Sequence, residues 1–219
     1  MANLLIVDDE PAIVSMMQIV LERNKYYNGP RPHHFDRIVI TANVDLNQSL
    51  LQVKANQADY DIGGLPPTAH AQLAQQYGVN KGQYQVHQLV QTDYVALNTS
   101  RPTFANVAMR KAANYAVDRP AMLRVRGAFA GKRTDQILPP GMGGFRDVKV
   151  YPLRGADYAK AKSLAGNKCG KVRLDSTTSA TGQALAQVFK YNLTQIGCDV
   201  DVKLFQGFQI YTADGTKGE

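Results

Sequence analysis

The chain has 219 residues, a length that suits one large domain or two small ones. Hydrophobic residues make up 44% and charged residues 20%, which excludes global disorder, and no run approaches the roughly 20 apolar residues of a membrane span. The net charge of +7 brings nucleic acid into consideration. However, the Lys and Arg residues are scattered, with "RVR" at 124–126 and "KR" at 132–133 as the densest clusters. No basic helix, zinc-finger spacing or RNA-binding aromatic motif accompanies them, so a basic surface without a nucleic-acid partner is expected.

The first element is "LLIVDDEPAI", residues 4–13. Leu4 to Val7 is a short apolar run, as expected of a strand buried on both faces. Asp8 and Asp9 fall where that strand would end, and Pro11 suits the first turn of a helix. Ile13, Met17, Val20 and Leu21 then recur on one helical face. Two carboxylates at the carboxyl end of a parallel strand suit a hard cation such as Mg²⁺. The same pair also suits a plainer role, as solvated acids that cap the helix and complement its dipole. Residues 3–24, "NLLIVDDEPAIVSMMQIVLERN", resemble the first strand and helix of a response-regulator receiver domain. That resemblance implies a Mg²⁺ pair at Asp8 and Asp9, a phosphoacceptor Asp at the end of the third strand, and a Thr or Ser and a Lys further on.

"NKYYNGPRPHHFD" at 24–36 reads as a loop, and "RIVITA" at 37–42 as a β-branched strand. Asp45 is placed to cap a helix carrying Leu46, Leu50 and Val53. "ADYDIGG" at 58–64 reads as a short strand, a helix follows around 68–77, and "YQVHQLVQ" and "DYVALN" alternate like strands. In "FANVAMRKAANYAVDRPAML", residues 104–123, Asn106 is an N-cap, the helix presents small residues, and Pro120 marks a boundary or a fresh start. Residues 127–155 are rich in Gly and Pro and read as a long surface loop. Asp157 caps "YAKAKSLA" and Gly166 ends it. "KVRLDS", then "GQALAQVFKYNLTQIG" with Leu185, Phe189, Leu193 and Ile196 in one stripe, then "DVDVKLF" complete a strand–helix–strand unit. The order predicts one α/β domain over 1–219, with a mostly parallel sheet of about five strands and helices on both faces.

The two cysteines, Cys169 and Cys198, each sit just before a predicted strand. A βαβ crossover starts both its strands at the same sheet edge, which leaves both a bridge and two separate thiols open. Neither has a Cys-x-x-Cys partner.

From about residue 24 to 219 several segments follow one another in a recognisable order. They are "NKYYNGPRPHHFDRIVI", "QADYDIGGLPP", "DYVALNTSRPTFANVAMRKAANYAVDR", "ILPPGMGGF" and "IGCDVDVKLFQGFQIY". Together they resemble the middle lobe of the extracytoplasmic solute-binding proteins that serve ABC importers of peptides, nickel and related solutes. In the third segment the matching positions include Asn98, Pro102, Phe104, Arg110, Tyr115, Asp118 and Arg119. Tyr27 stands where that family usually has Trp. The resemblance implies a lobe that closes on a second lobe around a peptide or small solute, in an extracytoplasmic setting and without enzymatic activity. As written, "MANLLIVDDE" shows no secretion signal, so a cytoplasmic location is expected for this chain. The sequence stops at "TADGTKGE", before the family's usual Gly-Trp and Asp-Pro-Asp region, so one wall of a cleft and weak binding are expected.

The third strand of the receiver order would be "DYDIGG", where Asp61 is the nearest acid, one or two positions early, and no later Lys is placed. Metal ligands without a placed phosphoacceptor are not an active site. The expectation is therefore an engineered chimera, a receiver fragment at 1–24 joined to a solute-binding lobe at 25–219. It would have no designed catalysis, no cofactor and at most a weakly held Mg²⁺. A weak solute-binding module, a working receiver and a homodimer or domain swap are its rivals. "GAFAGKR" at 127–133 is one residue short of a phosphate loop, and "GMGG" lacks the flanking elements of a dinucleotide site. His33, His34, His70 and His87 lack metal spacing, and Asp199 and Asp201 alternate toward solvent.

Overall fold

The computed structural model describes residues 18–32, 34–42, 44–87, 89–166, 169–206 and 209. It falls into two compact units, Met1–Pro66 and Pro67–Glu219.

In the first unit β1 (Gln18–Glu22) pairs antiparallel with β2 (Arg37–Thr41), with Val20 opposite Val39 and Leu21 opposite Ile38. The residues between them return as a long hairpin loop, closed by the Arg23 N–H donating to the Asp36 carbonyl at 2.8 Å. This corrects the helix expected through Leu21. A short apolar run fits either period, and "QIVLE" has a β-branched partner in "RIVIT" against which to complete its backbone hydrogen bonds. The ribbon buries little: Val20, Leu21, Ile38 and Val39 are each between 43% and 48% exposed. Helix α1 (Leu46–Lys54) starts at Asp45, whose carboxylate accepts the N–H groups of Gln48 and Asn47, and these bonds hold it below the usual carboxylate range.

The second unit holds helices α2 (His70–Tyr77), α3 (Pro102–Ala105), α4 (Val107–Ala116), α5 (Arg119–Arg126), α6 (Tyr158–Ala165) and α7 (Ala180–Thr194). Its strands are β3 (Lys171–Thr177) and β4 (Asp199–Phe205). The helix expected after Asn106 is α4, the fresh start expected at Pro120 is α5, and the short α3 precedes both. Asn106 caps α4 by accepting the Ala108 N–H at 2.8 Å, and Asp118 caps α5 by accepting that of Ala121 at 3.0 Å, with Pro120 in the first turn. Asp157 caps α6, and Gly166 ends it in the left-handed conformation.

β3 and β4 are parallel and joined through α7, in the register Val172 to Val200 and Leu174 to Val202. Among the described residues the sheets are therefore two separate pairs, not five mostly parallel strands. Residues 58–64, 84–87 and 93–98 carry strand-like alternation but pair with nothing in a ladder. Alternation alone gives a strand no partner, and Tyr84 is instead buried at 3% exposure beside His70 and Phe129. Helices do not cover both faces either. Val172, Leu174 and Val200 face the core, where α7 packs. The opposite face is charged in complementary register, with Lys171 opposite Asp199, Arg173 opposite Asp201 and Asp175 opposite Lys203. Such a face belongs in water, which explains why it carries no second helical layer.

The core is built from Phe104, Met109, Phe189, Leu193, Ile196 and the strand valines, together with alanines of α4 and α6. Ala112, Ala116 and Ala161 have no measurable exposure, and small side chains of this kind let α4 and α6 lie against one another. Asn192 of α7 is the buried polar side chain of this core, at 1% exposure. Its Oδ1 accepts the Asp118 N–H at 2.9 Å, and its Nδ2 donates to the Tyr158 hydroxyl at 3.0 Å. Burial raises the Tyr158 phenol above its usual range, and the bond from Asn192 partly offsets this.

Arg119 fixes the long 127–155 segment. Its guanidinium donates to the carbonyls of Asn114 at 3.1 Å, Pro152 at 3.2 Å and Thr134 at 3.2 Å, and lies 6.0 Å from the centre of the Tyr151 ring. Burial lowers its pKa, opposed by the charge of Asp135. Burial also disfavours the Asp135 charge. The Tyr151 N–H at 2.8 Å and the Gln136 side chain outweigh that, and the carboxyl stays below its usual range.

Cys169 and Cys198, at the start of β3 and β4, form a disulfide with Cα atoms 4.6 Å apart.

Three outcomes follow for stability. Asn192→Leu strands a partly buried N–H and a partly buried hydroxyl, so it should cost about 1–2 kcal/mol in urea unfolding, and a change below about 0.5 kcal/mol would refute the bridging role. Cys169→Ser with Cys198→Ser opens a closed loop of 29 residues' separation and should cost roughly 3–4 kcal/mol, seen as a lower urea midpoint that dithiothreitol reproduces in the parent. Arg119→Lys replaces a planar fork by a point charge that cannot reach three divergent carbonyls. It should cost roughly 1–3 kcal/mol and speed limited proteolysis within 127–155, and unchanged cleavage would refute the anchoring role.

Candidate functional site

Ligands of open α/β units sit at the carboxyl ends of parallel strands, where the following helix begins. Here that end is formed by Thr177 of β3, Phe205 of β4 and the first turn of α7. The Thr178 N–H donates to the Phe205 carbonyl at 3.0 Å and carries the strand pairing one residue further. Ser179 caps α7 by accepting the Gly182 N–H at 3.0 Å, and its hydroxyl is 2.8 Å from Thr177 Oγ1. Ser176 donates to the Gly182 carbonyl at 2.9 Å, and Gln183 to that of Thr178 at 2.7 Å. A Cβ on Gly182 would collide with the Thr177 side chain, so glycine is what lets the helix start this close to the strand. No acid stands in the first turn of α7, so the positive end of its dipole is not offset by the helix's own carboxylates.

This edge offers hydroxyl and amide groups and an aromatic ring, over which Arg173 lies 5.7 Å from the ring centre. Arg173 Nε also donates to Asp175 Oδ1 at 2.8 Å. None of these hydroxyls is hydrogen-bonded to a histidine or a carboxylate among the described residues, as an activated nucleophile would be. The signal for this edge in the sequence is "STTSATG", a hydroxyl-rich run between strand and helix.

The residues singled out from sequence do not assemble into one site. Asp8 and Asp9 lie outside the described residues, as does His33. Asp61 lies in no strand. Its Oδ1 accepts the Gly63 N–H at 2.8 Å, a local turn, and its Oδ2 is buried with no hydrogen-bond partner among the described residues. No group of three or more His, Cys, Asp or Glu suited to a metal occurs among the described residues. His70 bonds the Tyr84 hydroxyl at 2.7 Å beside Phe129, and burial lowers the imidazole pKa and raises the phenol's. No helix among the described residues is long and apolar enough to cross a membrane.

Comparison with known proteins supplies the wider frame. Residues 13–219 match the family model of bacterial extracellular solute-binding proteins, family 5, middle region. Heme-binding protein A of Haemophilus influenzae is 30% identical over 156 residues, 68% of this chain and 25% of its own length. The glutathione-binding protein GsiB of Escherichia coli K12 is 32% identical over 116 residues, 50% of this chain and 22% of its own. Haemophilus influenzae OppA, solved with the peptide RPPGFSPFR, superposes with a TM-score of 0.72 at 21% identity, over 92% of this chain and 41% of that one. The chain thus spans about a quarter of the length of these curated relatives, and its α/β architecture is part of a periplasmic-binding-protein fold. The match begins at residue 13 and takes in about half of the segment that resembles a receiver, whose described part, residues 18–24, opens with strand β1. The chain belongs to the bacterial extracellular solute-binding proteins of family 5, a binding family and not an enzymatic one, and carries their middle region.

Proposed function

We propose that the chain supplies one wall of the solute cleft of an ABC-importer binding protein, and that the solute is a short peptide or peptide-like small molecule. The observation that carries this reading is the family match over 13–219. The edge of β3, β4 and α7 supports it, because it presents amide, hydroxyl and aromatic groups without a catalytic pair. Such groups suit the backbone amides and carboxylate of a peptide. GsiB is a glutathione-binding protein and OppA is solved with a peptide, which places this chemistry among the relatives.

The same observations favour a solute-binding module over a receiver joined to a lobe, since the described part of the receiver-like segment opens with a strand of the matched region. The Cys169–Cys198 disulfide supports a working place in an oxidising compartment outside the cytoplasm, in keeping with the family and against the cytoplasmic placement suggested by the first ten residues. The half-exposed valines, leucine and isoleucine of the β1–β2 ribbon are a surface that further chain or a second lobe would cover.

Calorimetric titration with glutathione and with a di- to pentapeptide mixture tests the reading. Saturable heats are expected, at affinities weaker than about 1 μM because a single wall buries only part of a ligand. Flat heats with both would overturn it.

A further inference from the structure

The Lys and Arg residues are spread along the chain, but the excess of positive over negative charge is not. Residues 119–154 carry eight Lys or Arg against two Asp, a net +6 of the chain's +7. The fold gathers part of that charge around one open recess of about 430 Å³, lined by Leu123, Gly131, Lys132, Arg133, Leu153 and Arg154. Leu123 and Leu153 are partly buried and form its apolar part, while Lys132, Arg133 and Arg154 are exposed at its rim. None of the three cations forms an ion pair among the described residues. The acids nearest in sequence are engaged elsewhere: Asp135 accepts from Tyr151 and Gln136, Asp157 accepts the Lys160 N–H at 2.9 Å, and Asp147 faces Lys149 at 4.0 Å. Arg126, just beyond α5's Leu123, is already paired with Asp93. The rim therefore combines three like charges with no ion-paired carboxylate among the described residues, a local field that favours an anion.

The recess is also held in shape. Arg119 donates to the carbonyls of Thr134 and Pro152, which adjoin Arg133 and Leu153 in the chain, so one partly buried guanidinium ties both walls. Pre-set walls reduce the ordering cost of binding. Two guanidinium forks suit carboxylate or phosphate oxygens, and the leucines suit a short hydrocarbon body. We propose that this recess is a binding site for a small dianion with an apolar body, held through its two acidic groups by Arg133, Arg154 and Lys132. It is separate from the β3–β4–α7 edge and does not rest on that edge's proposed role.

The test is calorimetric titration of the full chain with adipate and, separately, with inorganic phosphate at low salt. Adipate is expected to bind saturably at one site and more tightly than phosphate, which has no hydrocarbon to place on Leu123 and Leu153. The variant Arg133→Gln/Arg154→Gln should weaken adipate about tenfold or more. The variant Lys54→Gln/Lys160→Gln removes the same charge at exposed positions outside the recess and should change affinity less than about twofold. Lys132→Gln alone should weaken adipate about threefold or more, and this single exposed change decides the matter if the double arginine variant does not fold. No saturable adipate heat, or equal losses in the recess and control variants, would overturn the proposal. Flat peptide titrations with saturable adipate binding would sink the peptide reading and leave this one standing, and the reverse result would do the opposite.

Discussion

The second unit depends on a buried amide. Asn192 stands on the face of α7 that also carries Phe189 and Leu193, in a setting where an unsatisfied polar group would cost about 1–3 kcal/mol. It is satisfied at both ends by groups from different parts of the chain, the Asp118 N–H where α4 gives way to α5, and the Tyr158 hydroxyl at the start of α6. A hydrocarbon at this position would pack anywhere along the stripe. The amide accepts one relative placement of three helices, and so acts as a register device as well as a contact. Because Asp118 also caps α5 with its side chain, the break between α4 and α5 is fixed from both sides, by its own cap and by Asn192.

From that break the order is passed outward. Arg119 follows Asp118 directly, and fixing the turn fixes where the guanidinium enters the long 127–155 segment. There it meets carbonyls from residues 15 and 33 positions further along the chain. A Gly- and Pro-rich segment of this length has little regular hydrogen bonding of its own, and its carbonyls need donors when they turn inward. One partly buried arginine supplies donors to two of them. The segment is therefore irregular without being loose, and it can carry charged side chains at set positions on its outer surface.

The parts legible in the sequence were those fixed by near neighbours. Asp45, Asn106 and Asp157 could be read as caps because a cap involves residues two or three positions apart, and Gly166 as a stop because its left-handed conformation is local. Strands β3 and β4 were legible because one helix, α7, joins them directly as a strand–helix–strand unit. The misreadings share one cause, which is dependence on a distant partner. "QIVLE" has the same apolar spacing for a helix as for a strand, and only the pairing with "RIVIT" decides it. "YQVHQLVQ" alternates as a strand does, yet Tyr84 is drawn to His70 and Phe129, and its described residues join no ladder. Arg119 was visible as part of a family-like run, but its three carbonyl partners were not. Of the candidate site, the run "STTSATG" was in plain view, while its meaning required knowing that Phe205 closes the same edge. The grouping of Arg133 with Arg154 has the same character, since 21 positions of irregular chain separate them.

The β3–β4 pair shows how a two-stranded parallel sheet keeps its register with helices on one face only. Parallel sheets are usually covered on both faces, because both are apolar. Here the core face reads Val172, Leu174, Val200 and the partly buried Val202, and the outer face reads Lys171, Arg173 and Asp175 against Asp199, Asp201 and Lys203. A slip by one residue would turn the valines of one strand to water and its charges to α7, and would set charged residues opposite apolar ones. The two faces thus specify the same register by different forces, burial on one side and charge complementarity on the other. The disulfide at the start of both strands acts in the same sense, because it ties Cys169 to Cys198 just before Lys171 meets Asp199. Register at the amino ends is held covalently and along the strands by pattern, so the carboxyl ends, with Thr177, Phe205 and the start of α7, are placed by their distance from a fixed origin. Precision at that edge therefore comes from elements that lie away from it, the disulfide at the opposite ends of the strands and the paired faces between.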